Sequence, residues 1–432
     1  MKSNTQNAKI AAITEKTLII GIDVGSETHF ARAFSWRGYE YSRKPLEFSN
    51  TEEGFVTLLS WIDELKAKYG MEKVIPGMEP TGHYWFNLGR FLQDHGMRPV
   101  HVNPHHVKRS KELDDNNPSK NDRKDPKVIA GLVNEGRYLY PYIPDGIYAE
   151  IRVLSGLRGA AQSELTRIKN RFARWISIYF PNYKDVYGNV GAVSGLMILK
   201  EAPLPEDIVK LGVEGVNRIW RDAKLRGAGM KRAKTLIEAA EHSIGSREAH
   251  EAARIELRIL LSDYERQAAR EAELMGLIEE KIAEVPYIDN LLDIKGVGIK
   301  TVIGFVAEVG DIRRFDDPKQ LQKLAGYAIV KNDSGKHKGE SHISYRGRKR
   351  LRYVLYEAAV SVVSHSAEFK AIHQYYTTRS RNPLKKMQSM IAVACKLVRI
   401  FYLLLRTGAT YDASKMMGDI RRPEAALRTE TQ

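Results

Sequence analysis

Cysteine is nearly absent from this chain, because only one of its 432 residues, Cys395, is a cysteine. A single thiol excludes an internal disulfide and any zinc site built from several cysteines. Cys395 lies in an apolar run with helical spacing, so we expect a buried structural thiol. Any chemistry that this protein performs must therefore use other side chains.

Long hydrophobic runs are also lacking. The most apolar stretch, residues 390–405, contains Lys396 and Arg399 and is shorter than the roughly 20 residues that a membrane-spanning helix needs. The first sixteen residues are polar and do not contain the hydrophobic segment of a secretory signal peptide. We therefore expect a cytoplasmic protein without a membrane partner, in which residues 390–405 form a core helix.

Negative charge is in the minority. Lys and Arg total 68 against 53 Asp and Glu, which gives a net charge of +15 and a pI near 9.5. This balance favours a polyanionic partner such as nucleic acid, although a basic soluble enzyme would have the same composition. Hydrophobic residues make up 43% of the chain, enough for real cores, and the length allows two or three domains.

The first 142 residues alternate between strand and helix patterns. Short apolar or alternating runs predict five strands, at residues 17–24, 29–36, 39–48, 73–79 and 98–102. Helical periodicity predicts helices at 51–69 and 82–96, and a polar loop at 113–121 precedes a further helix that should begin near Asp122. This order is typical of an RNase H-like (RuvC-like) domain with a mixed α/β sheet.

Residues 143–285 are predicted to be helical. Apolar residues recur at steps of three and four from about residue 150 until Pro181, and again over about 246–285. These two long helices can pair as an antiparallel coiled coil, within or between subunits, or pack as ordinary bundle helices. The residues between them, 182–245, are expected to form an insert of short helices.

The remaining sequence predicts a separate, mainly helical C-terminal domain over residues 286–415, followed by a polar tail at 416–432. The segment 291–311 resembles a helix-hairpin-helix element, in which a tight glycine turn directs backbone N–H groups at a phosphate of nucleic acid. A plain glycine-rich helix connection is the alternative. The candidate contacts to nucleic acid in this element are Lys295, Gly296, Gly298 and Lys300.

Four acidic residues are the most informative feature of the chain: Asp23, Glu79, Asp122 and Asp125. Asp23 and Glu79 lie at the ends of predicted strands, and such ends can be neighbours in a central sheet. Asp122 and Asp125 are three residues apart, so a helix would place them on one face. Four carboxylates that face one point repel one another unless cations such as Mg²⁺ neutralise them. A helix cap at Asp122 and a dipole interaction at Asp125 are the structural alternative.

A serine lies in a strongly basic segment, residues 324–359. Ser334 is predicted to occupy a turn, where a hydroxyl among cations could attack a phosphodiester, although a Ser-Gly turn is usually only a turn. The basic residues around it could contact nucleic acid or could form a solvated face. They are Lys336 and Lys338 after the turn, and Arg346, Arg348, Lys349 and Arg350 at the start of a helix.

Taken together, these motifs resemble the DEDD-type insertion-sequence transposases of family one-ten, which are bridge-RNA-guided recombinases. GIDVGSETH, GMEPTGHYW and KNDRKD are similar to the family's RuvC-like domain, and the GVG element and the segment after Ser334 are similar to its C-terminal transposase domain. The middle segment and the tail are longer than in compact members. LAGYAIVKNDSG also differs from the usual glycine-leucine-x-proline text before the serine.

The resemblance implies a Mg²⁺ site formed by Asp23, Glu79, Asp122 and Asp125. It further implies that Ser334 is a nucleophile that forms a covalent phosphoserine link to a cleaved DNA strand, so that rejoining needs no ATP. The implied partners are donor and target DNA, a structured guide (bridge) RNA and further copies of the chain, as a dimer or a tetramer. The serine of one subunit could then complete the carboxylate site of another.

Three other functions are compatible with parts of the sequence. A metal-only RuvC-like nuclease that resolves DNA junctions would need the four carboxylates but not Ser334. An ATP-using protein of the actin and sugar-kinase class would explain GIDVGS, but we find no convincing second phosphate loop or adenosine motif. A non-catalytic nucleic-acid scaffold would leave the acidic residues without a purpose.

Overall fold

In the computed structural model, residues 2–42, 44–80, 82–114, 124–330, 333–334, 337–338 and 341–418 are described, with the backbone alone at 2–5, 112–114, 333–334 and 337–338. The chain divides into two compact units, residues 1–143 and 144–432.

The N-terminal unit contains a six-stranded sheet in the order β3-β2-β1-β4-β5-β6. The strands are β1 (Thr17–Val24), β2 (Thr28–Phe34), β3 (Leu46–Ser49), β4 (Lys73–Met78), β5 (Val100–Val102) and β6 (Tyr138–Leu139). The pairs β1–β4 and β4–β5 are parallel, and the other pairs are antiparallel. This mixed sheet agrees with the predicted RNase H-like α/β domain. The third strand is shorter than the predicted 39–48, because Pro45 has no N–H for the ladder.

The described residues of this unit form five helices: α1 (Lys2–Ala11), α2 (Glu52–Tyr69), α3 (Trp85–Asp94), α4 (Pro104–Asp114) and α5 (Asp125–Asn134). Helix α4 extends into the polar loop that was predicted at 113–121. Helix α5 begins at Asp125, three residues later than predicted, and Pro126 lies in its first turn, where proline is favoured. Asp122 lies outside the described residues.

The two faces of the sheet are covered by different helices. The even-numbered residues of β1, such as Ile20 and Ile22, pack in one core with α2 and α3. Ile19 packs in the other core, with Ile129 of α5. A Cβ at residue 21 would collide with the carbonyl oxygen of Pro126. Because Gly21 has no Cβ, the start of α5 can pack closely over β1.

The second unit begins with six helices: α6 (Gly146–Tyr179), α7 (Tyr183–Val186), α8 (Val193–Glu201), α9 (Pro205–Asp222), α10 (Met230–Glu241) and α11 (His250–Ala283). The two long helices, α6 and α11, pair along their length within one chain. Lys281 forms an ion pair with Glu150 near one end, and the Trp175 indole donates to the Ala253 carbonyl near the other. The helices are therefore antiparallel, as predicted. A coiled-coil packing of their side chains stays a prediction.

The predicted insert consists of helices α7 to α10, which share a core with the adjoining parts of α6 and α11. Trp220 of α9 is fully buried there, together with Trp175 and Phe180. The Trp220 indole donates to the carbonyl of Ser194 at 2.8 Å. Helix α9 changes direction at Gly212, whose φ of 69° lies in the region that glycine adopts most readily.

The rest of the unit contains helices α12 (Asp289–Leu292), α13 (Ile299–Val309), α14 (Pro318–Leu324), α15 (Lys349–His365), α16 (Ala367–Thr378), α17 (Lys386–Thr407) and α18 (Ala413–Met417). A 3₁₀ turn spans Ile312–Arg314, and four two-residue strands are β7 (Ile329–Val330), β8 (Asp333–Ser334), β9 (His337–Lys338) and β10 (His342–Ile343).

Helix α17 contains the most apolar run of the chain. In the described part of the chain it is the one helix that is long and apolar enough to cross a membrane. Its residues Val393, Leu397 and Phe401 are fully buried in the core formed with α13 and α15. This position is that of the core helix expected from the sequence. Cys395 on the same helix is mostly buried, which raises the pKa of its thiol to about 11.

Candidate active site

Asp23 and Glu79 lie side by side at the carboxyl ends of two parallel strands. Gly21 of β1 is opposite Gly77 of β4, and Ile22 is opposite Met78, so the next position in register pairs Asp23 with Glu79. Because side chains alternate along a strand, both carboxylates project on the face that carries α5. Both side chains are partly buried. The parallel pairing of β1 and β4 thus brings two distant acidic residues together.

Asp125 begins α5 and is 7% exposed. The neighbouring residue Pro126 lies against Gly21, two positions before Asp23 on the same face of β1. The Asp125 carboxylate forms an ion pair with the ammonium of Lys111 on α4. Strands β1 and β4 and helices α4 and α5 therefore bring Asp23, Glu79, Asp125 and Lys111 to one end of the sheet. We call this region the carboxylate edge.

The protonation of Glu79 reflects this environment. Burial raises the pKa of the Glu79 carboxyl, the nearby charge of Lys111 opposes that rise, and the negative charge of Asp125 adds to it. Burial and a like charge both disfavour the ionised form of a carboxyl, and a nearby cation stabilises that form. Lys111 supplies one such cation. No feature of the sequence distinguishes Lys111 from the other lysines, so its place at the site was not predicted.

The donor set was tested against the chemistry of a divalent metal. Carboxylate oxygens are the ligands that Mg²⁺ prefers, and the raised pKa of Glu79 shows that positive charge would stabilise the site. Within the described ranges, no three His, Cys, Asp or Glu side chains are close enough together to hold an ion. Asp122, the fourth predicted ligand, lies outside those ranges. The carboxylate side chains present are of the type that binds Mg²⁺, and the complete ligand set stays a prediction.

Ser334 lies in a small hairpin of the C-terminal unit. Strand β8 pairs antiparallel with β9, and Ser334 is opposite His337, so residues 335–336 connect the two strands. Strands β7 and β10 pair antiparallel at the base of the same segment. Asp333 and Ser334, which were predicted to lie in a turn, are therefore strand residues. The side chains of Ser334, Lys336 and Lys338 lie outside the described part of the chain.

Gly296 and Gly298 lie in the connection between α12 and α13. Gly296 has a φ of +97°, and a Cβ there would lie 2.8 Å from the Cα of Val362. The Ser361 hydroxyl donates to the carbonyl of Gly296 at 2.7 Å, which fixes the turn against α15. Gly298 caps α13 without a side chain, and Lys295 and Lys300 are exposed beside it. Binding of nucleic acid by this turn stays a prediction.

The basic residues at the start of α15 differ in exposure and in hydrogen bonding. Arg346 and Lys349 are exposed. Arg348 instead donates to the backbone carbonyl of Glu308 at 2.9 Å and to its carboxylate at 3.2 Å. Arg350 donates to the carbonyl of Ser155 at 2.8 Å. Arg348 and Arg350 thus hold elements of the C-terminal unit together, so Arg346 and Lys349 are the better candidates for contact with a phosphate.

Comparison with known proteins matches both halves of the chain. A model of DEDD transposases of the IS110 type matches residues 20–181, and a model described as Transposase IS116/IS110/IS902 family matches residues 288–374. The first match contains Asp23, Glu79 and Asp125, and the second contains the glycine turn and the hairpin of Ser334.

Curated relatives cover nearly the whole chain. The Insertion element IS116 uncharacterized 44.8 kDa protein of Streptomyces clavuligerus is 25% identical over 90% of this chain and 94% of its own length. An IS110 protein of Streptomyces coelicolor is 22% identical over 93% of this chain and 97% of its own. The Pilin gene-inverting protein of Moraxella lacunata is 24% identical over 91% of this chain and 97% of its own length. With two family models and these relatives in agreement, the chain belongs to the IS110 family of transposases.

Proposed function

We propose that this protein is a DNA transposase that cuts and rejoins strands with a metal-binding carboxylate site and a serine nucleophile. The observation that carries the proposal is the register of β1 and β4, which sets Asp23 beside Glu79 under the start of α5. Family membership supports DNA as the substrate, and it does not support a sugar kinase. The name of the Moraxella relative further supports recombination that includes rejoining.

The carboxylates hold divalent metal in this proposal. The ligands would be Asp23, Glu79, Asp122 and Asp125, and the metal would be Mg²⁺, which supplies positive charge that stabilises the attacking and leaving oxygens of a phosphodiester. Lys111 holds the Asp125 carboxylate in place through its ion pair. The burial of Asp125 and the partial burial of Glu79 limit the water around the reacting phosphate.

Ser334 is the proposed nucleophile. Its hydroxyl loses its proton as the oxygen forms a bond to phosphorus, the bond from phosphorus to one bridging oxygen of the strand breaks, and the departing oxygen takes up a proton to become a free hydroxyl. The phosphoserine ester keeps the energy of the broken bond, so the reverse attack by a strand hydroxyl rejoins DNA without ATP. Ser334 is the last residue of β8 and lies within the segment matched by the second family model.

The proposed assembly contains several macromolecules. A structured guide RNA pairs with donor and target DNA, and two or four copies of the chain act together in the cytoplasm. The net charge of +15 suits a protein that holds RNA and two DNA duplexes. Lys295, Lys300, Arg346 and Lys349 are exposed and would contact phosphates without reading bases.

Trapping of the covalent intermediate tests the serine step. Ser334→Ala should remove the protein–DNA adduct that is detected on a denaturing gel after incubation with labelled DNA, guide RNA and Mg²⁺, because no hydroxyl remains at that position. Binding of RNA should be unchanged. The matched control is Ser341→Ala, which removes an exposed hydroxyl seven residues away and should leave the adduct intact.

A full yield of adduct from Ser334→Ala would remove this serine from the mechanism. DNA cleavage by Ser334→Ala that needs the carboxylates but forms no adduct would instead favour the metal-only nuclease.

A further inference from the structure

The insert between the two long helices contains a dense cluster of basic residues to which the proposed function assigns no role. Residues 218–234 contain seven basic residues and one acidic residue, Asp222. We define the basic tip as those seven residues: Arg218, Arg221, Lys224, Arg226, Lys231, Arg232 and Lys234. All seven are exposed.

The fold gathers these residues at one place. Helices α9 and α10 pack against each other and are joined by residues 223–229. Arg218 and Arg221 belong to the last turns of α9, and Lys231, Arg232 and Lys234 belong to the first turns of α10. The end of one helix, the connection and the start of the next thus bring seven positive charges to one end of a helical hairpin.

The basic tip has a fixed backbone. Trp220 is fully buried next to Arg221, and its backbone carbonyl accepts a hydrogen bond from the N–H of Leu225 at 2.9 Å. Lys224 takes a φ of 52° to turn the chain after α9. Ala233 and Leu236 anchor the first turns of α10 in the core of the insert. A rigid backbone presents the charges without a large ordering cost when a ligand binds.

The charges of the basic tip are not neutralised by the described residues. None of the seven forms an ion pair with Asp or Glu there, whereas Lys200, elsewhere in the insert, pairs with Glu265. Arg232 lies over the ring of Tyr187, 6.0 Å from its centroid. Unpaired like charges that are held on a rigid frame repel one another, so a polyanion that neutralises them would bind with favourable free energy.

The start of α10 points to an anion independently. Its cap residue is Gly229, which offers no side chain to the first N–H groups, and its first turn contains no acidic residue. Lys231 and Arg232 instead place positive charge at the positive end of the helix dipole, which is unfavourable in isolation. A phosphate group would accept from the free N–H groups and pair with both cations.

We infer that the basic tip is a second DNA-binding surface, which holds the phosphate backbone of a duplex without reading its sequence. The inference rests on the proposed function for the identity of the polyanion, because a DNA transposase must hold duplex DNA. The tip lies within the insert, outside the described hairpin of Ser334 and outside the carboxylate edge. It therefore contributes to affinity and positioning and does not take part in the chemistry.

Salt-dependent binding tests the inference in the full chain. The variant Arg226→Gln/Lys231→Gln/Lys234→Gln should weaken binding of a labelled duplex of arbitrary sequence by at least about 10-fold at low salt. The slope of log affinity against log salt should fall by about 2 to 3, because each lost phosphate contact removes about 0.9. The substituted residues are exposed, so the thermal melting curve should not change.

Two matched variants separate local contact from total charge. Lys210→Gln/Arg258→Gln/Arg270→Gln removes the same charge from exposed positions outside the tip and should change affinity less than about 2-fold. Arg226→Lys/Lys231→Arg/Lys234→Arg keeps the charge of the tip and should keep the affinity. Equal losses from the first triple variant and the charge control would overturn the inference.

The remaining outcomes are also decisive. Loss of binding to structured RNA with unchanged DNA binding would overturn the assignment to DNA. Ser334→Ala should keep the full salt slope, so failure of the serine mechanism and failure of the tip can be told apart.

Discussion

Burial sets the protonation of His101, a residue of β5. Its ring packs edge-on against Trp85 at a centroid distance of 4.1 Å, and its Nε2 has no hydrogen-bond partner among the described residues. Burial lowers the pKa of His101 to about 4, whereas an unfolded histidine titrates near 6.5. The folded protein therefore holds His101 neutral at pH values where the unfolded chain takes up a proton.

This difference predicts acid sensitivity. Above pH 6.5 both states are neutral at His101, and it contributes no pH dependence. Between pH 6.5 and about 4 the unfolded state binds the extra proton, so the free energy of unfolding of the N-terminal unit should fall by about 1.4 kcal/mol per pH unit. His101→Phe should flatten this fall in urea unfolding at a series of pH values. An unchanged slope in the variant would show that His101 is not the group that titrates.

Lys111 is the second residue whose role can be measured alone. Its ammonium pairs with Asp125 and opposes the rise in the pKa of Glu79. Lys111→Met removes that charge, so the metal-free protein should lose about 1 to 2 kcal/mol of stability, a modest value because the lysine side chain is 35% exposed. Added Mg²⁺ should then raise the melting temperature of the variant by more than it raises that of the unsubstituted protein.

The matched control for this prediction is Lys66→Met. Lys66 pairs with Asp63 on the exposed face of α2 and is equally exposed, at 36%. Its loss should leave the response to Mg²⁺ unchanged. Equal responses of the two variants would separate Lys111 from any metal site.

At the scale of elements, the pairing of α6 with α11 contains one largely buried charge pair. Arg158 is 8% exposed and Glu271 is 22% exposed, and their closest atoms are 2.7 Å apart. The Nε and Nη2 of Arg158 have no hydrogen-bond partner among the described residues. The contact is therefore an ion pair of imperfect alignment, and its two members differ in their access to water.

This asymmetry predicts the order of mutant stabilities. Glu271→Gln leaves a buried guanidinium without a counter-charge and should cost about 3 kcal/mol of unfolding free energy. Arg158→Met leaves a carboxylate that can regain water, so it should cost less. The double variant should also be more stable than Glu271→Gln alone, because the uncompensated charge is gone. Denaturant unfolding measures all three.

An exposed pair on the same helix serves as the control. Glu164 and Arg167 of α6 are 43% and 76% exposed, so Glu164→Gln should change stability by less than about 0.5 kcal/mol. If Arg158→Met proved the more damaging single change, the packing of the arginine stem would outweigh its charge.

The elements also show which parts of the fold could be predicted from sequence. The strands at 17–24 and 73–79 and the two long helices follow from apolar runs and periodicity, which depend on local sequence alone. Strand β6 was not predicted, because two residues carry no periodic pattern. Helix α5 begins later than predicted because Pro126 was not used to place its first turn.

The same distinction between local and long-range signals applies to the residues of the candidate site. Asp23 and Glu79 could be identified because each ends an apolar strand of the sheet. The ion pair of Lys111 could not be predicted, because it depends on how α4 and α5 cross, and one lysine in a polar helix carries no distinguishing pattern. The internal contacts of Arg348 and Arg350 could not be predicted for the same reason, since their partners are 40 and 195 residues away in sequence.

At the scale of the whole molecule, the proposed chemistry is divided between two compact units. The carboxylates belong to residues 1–143 and Ser334 belongs to residues 144–432. The two family matches follow the same order along the chain. A division of this kind predicts that loss of either part abolishes recombination while the other unit still folds.

Magnesium-dependent cleavage of DNA by Asp23→Asn, with Asp63→Asn as the control, shows whether the carboxylate edge is the site of catalysis. Asp23 lies at the carboxylate edge, whereas Asp63 is a surface residue of α2 whose side chain is 72% exposed. Asp23→Asn should reduce strand cleavage by at least about 100-fold, the loss expected when a group that stabilises the transition state is removed. Asp63→Asn should cleave normally. Cleavage by Asp23→Asn at the rate of the control, with the same dependence on Mg²⁺, would contradict the account.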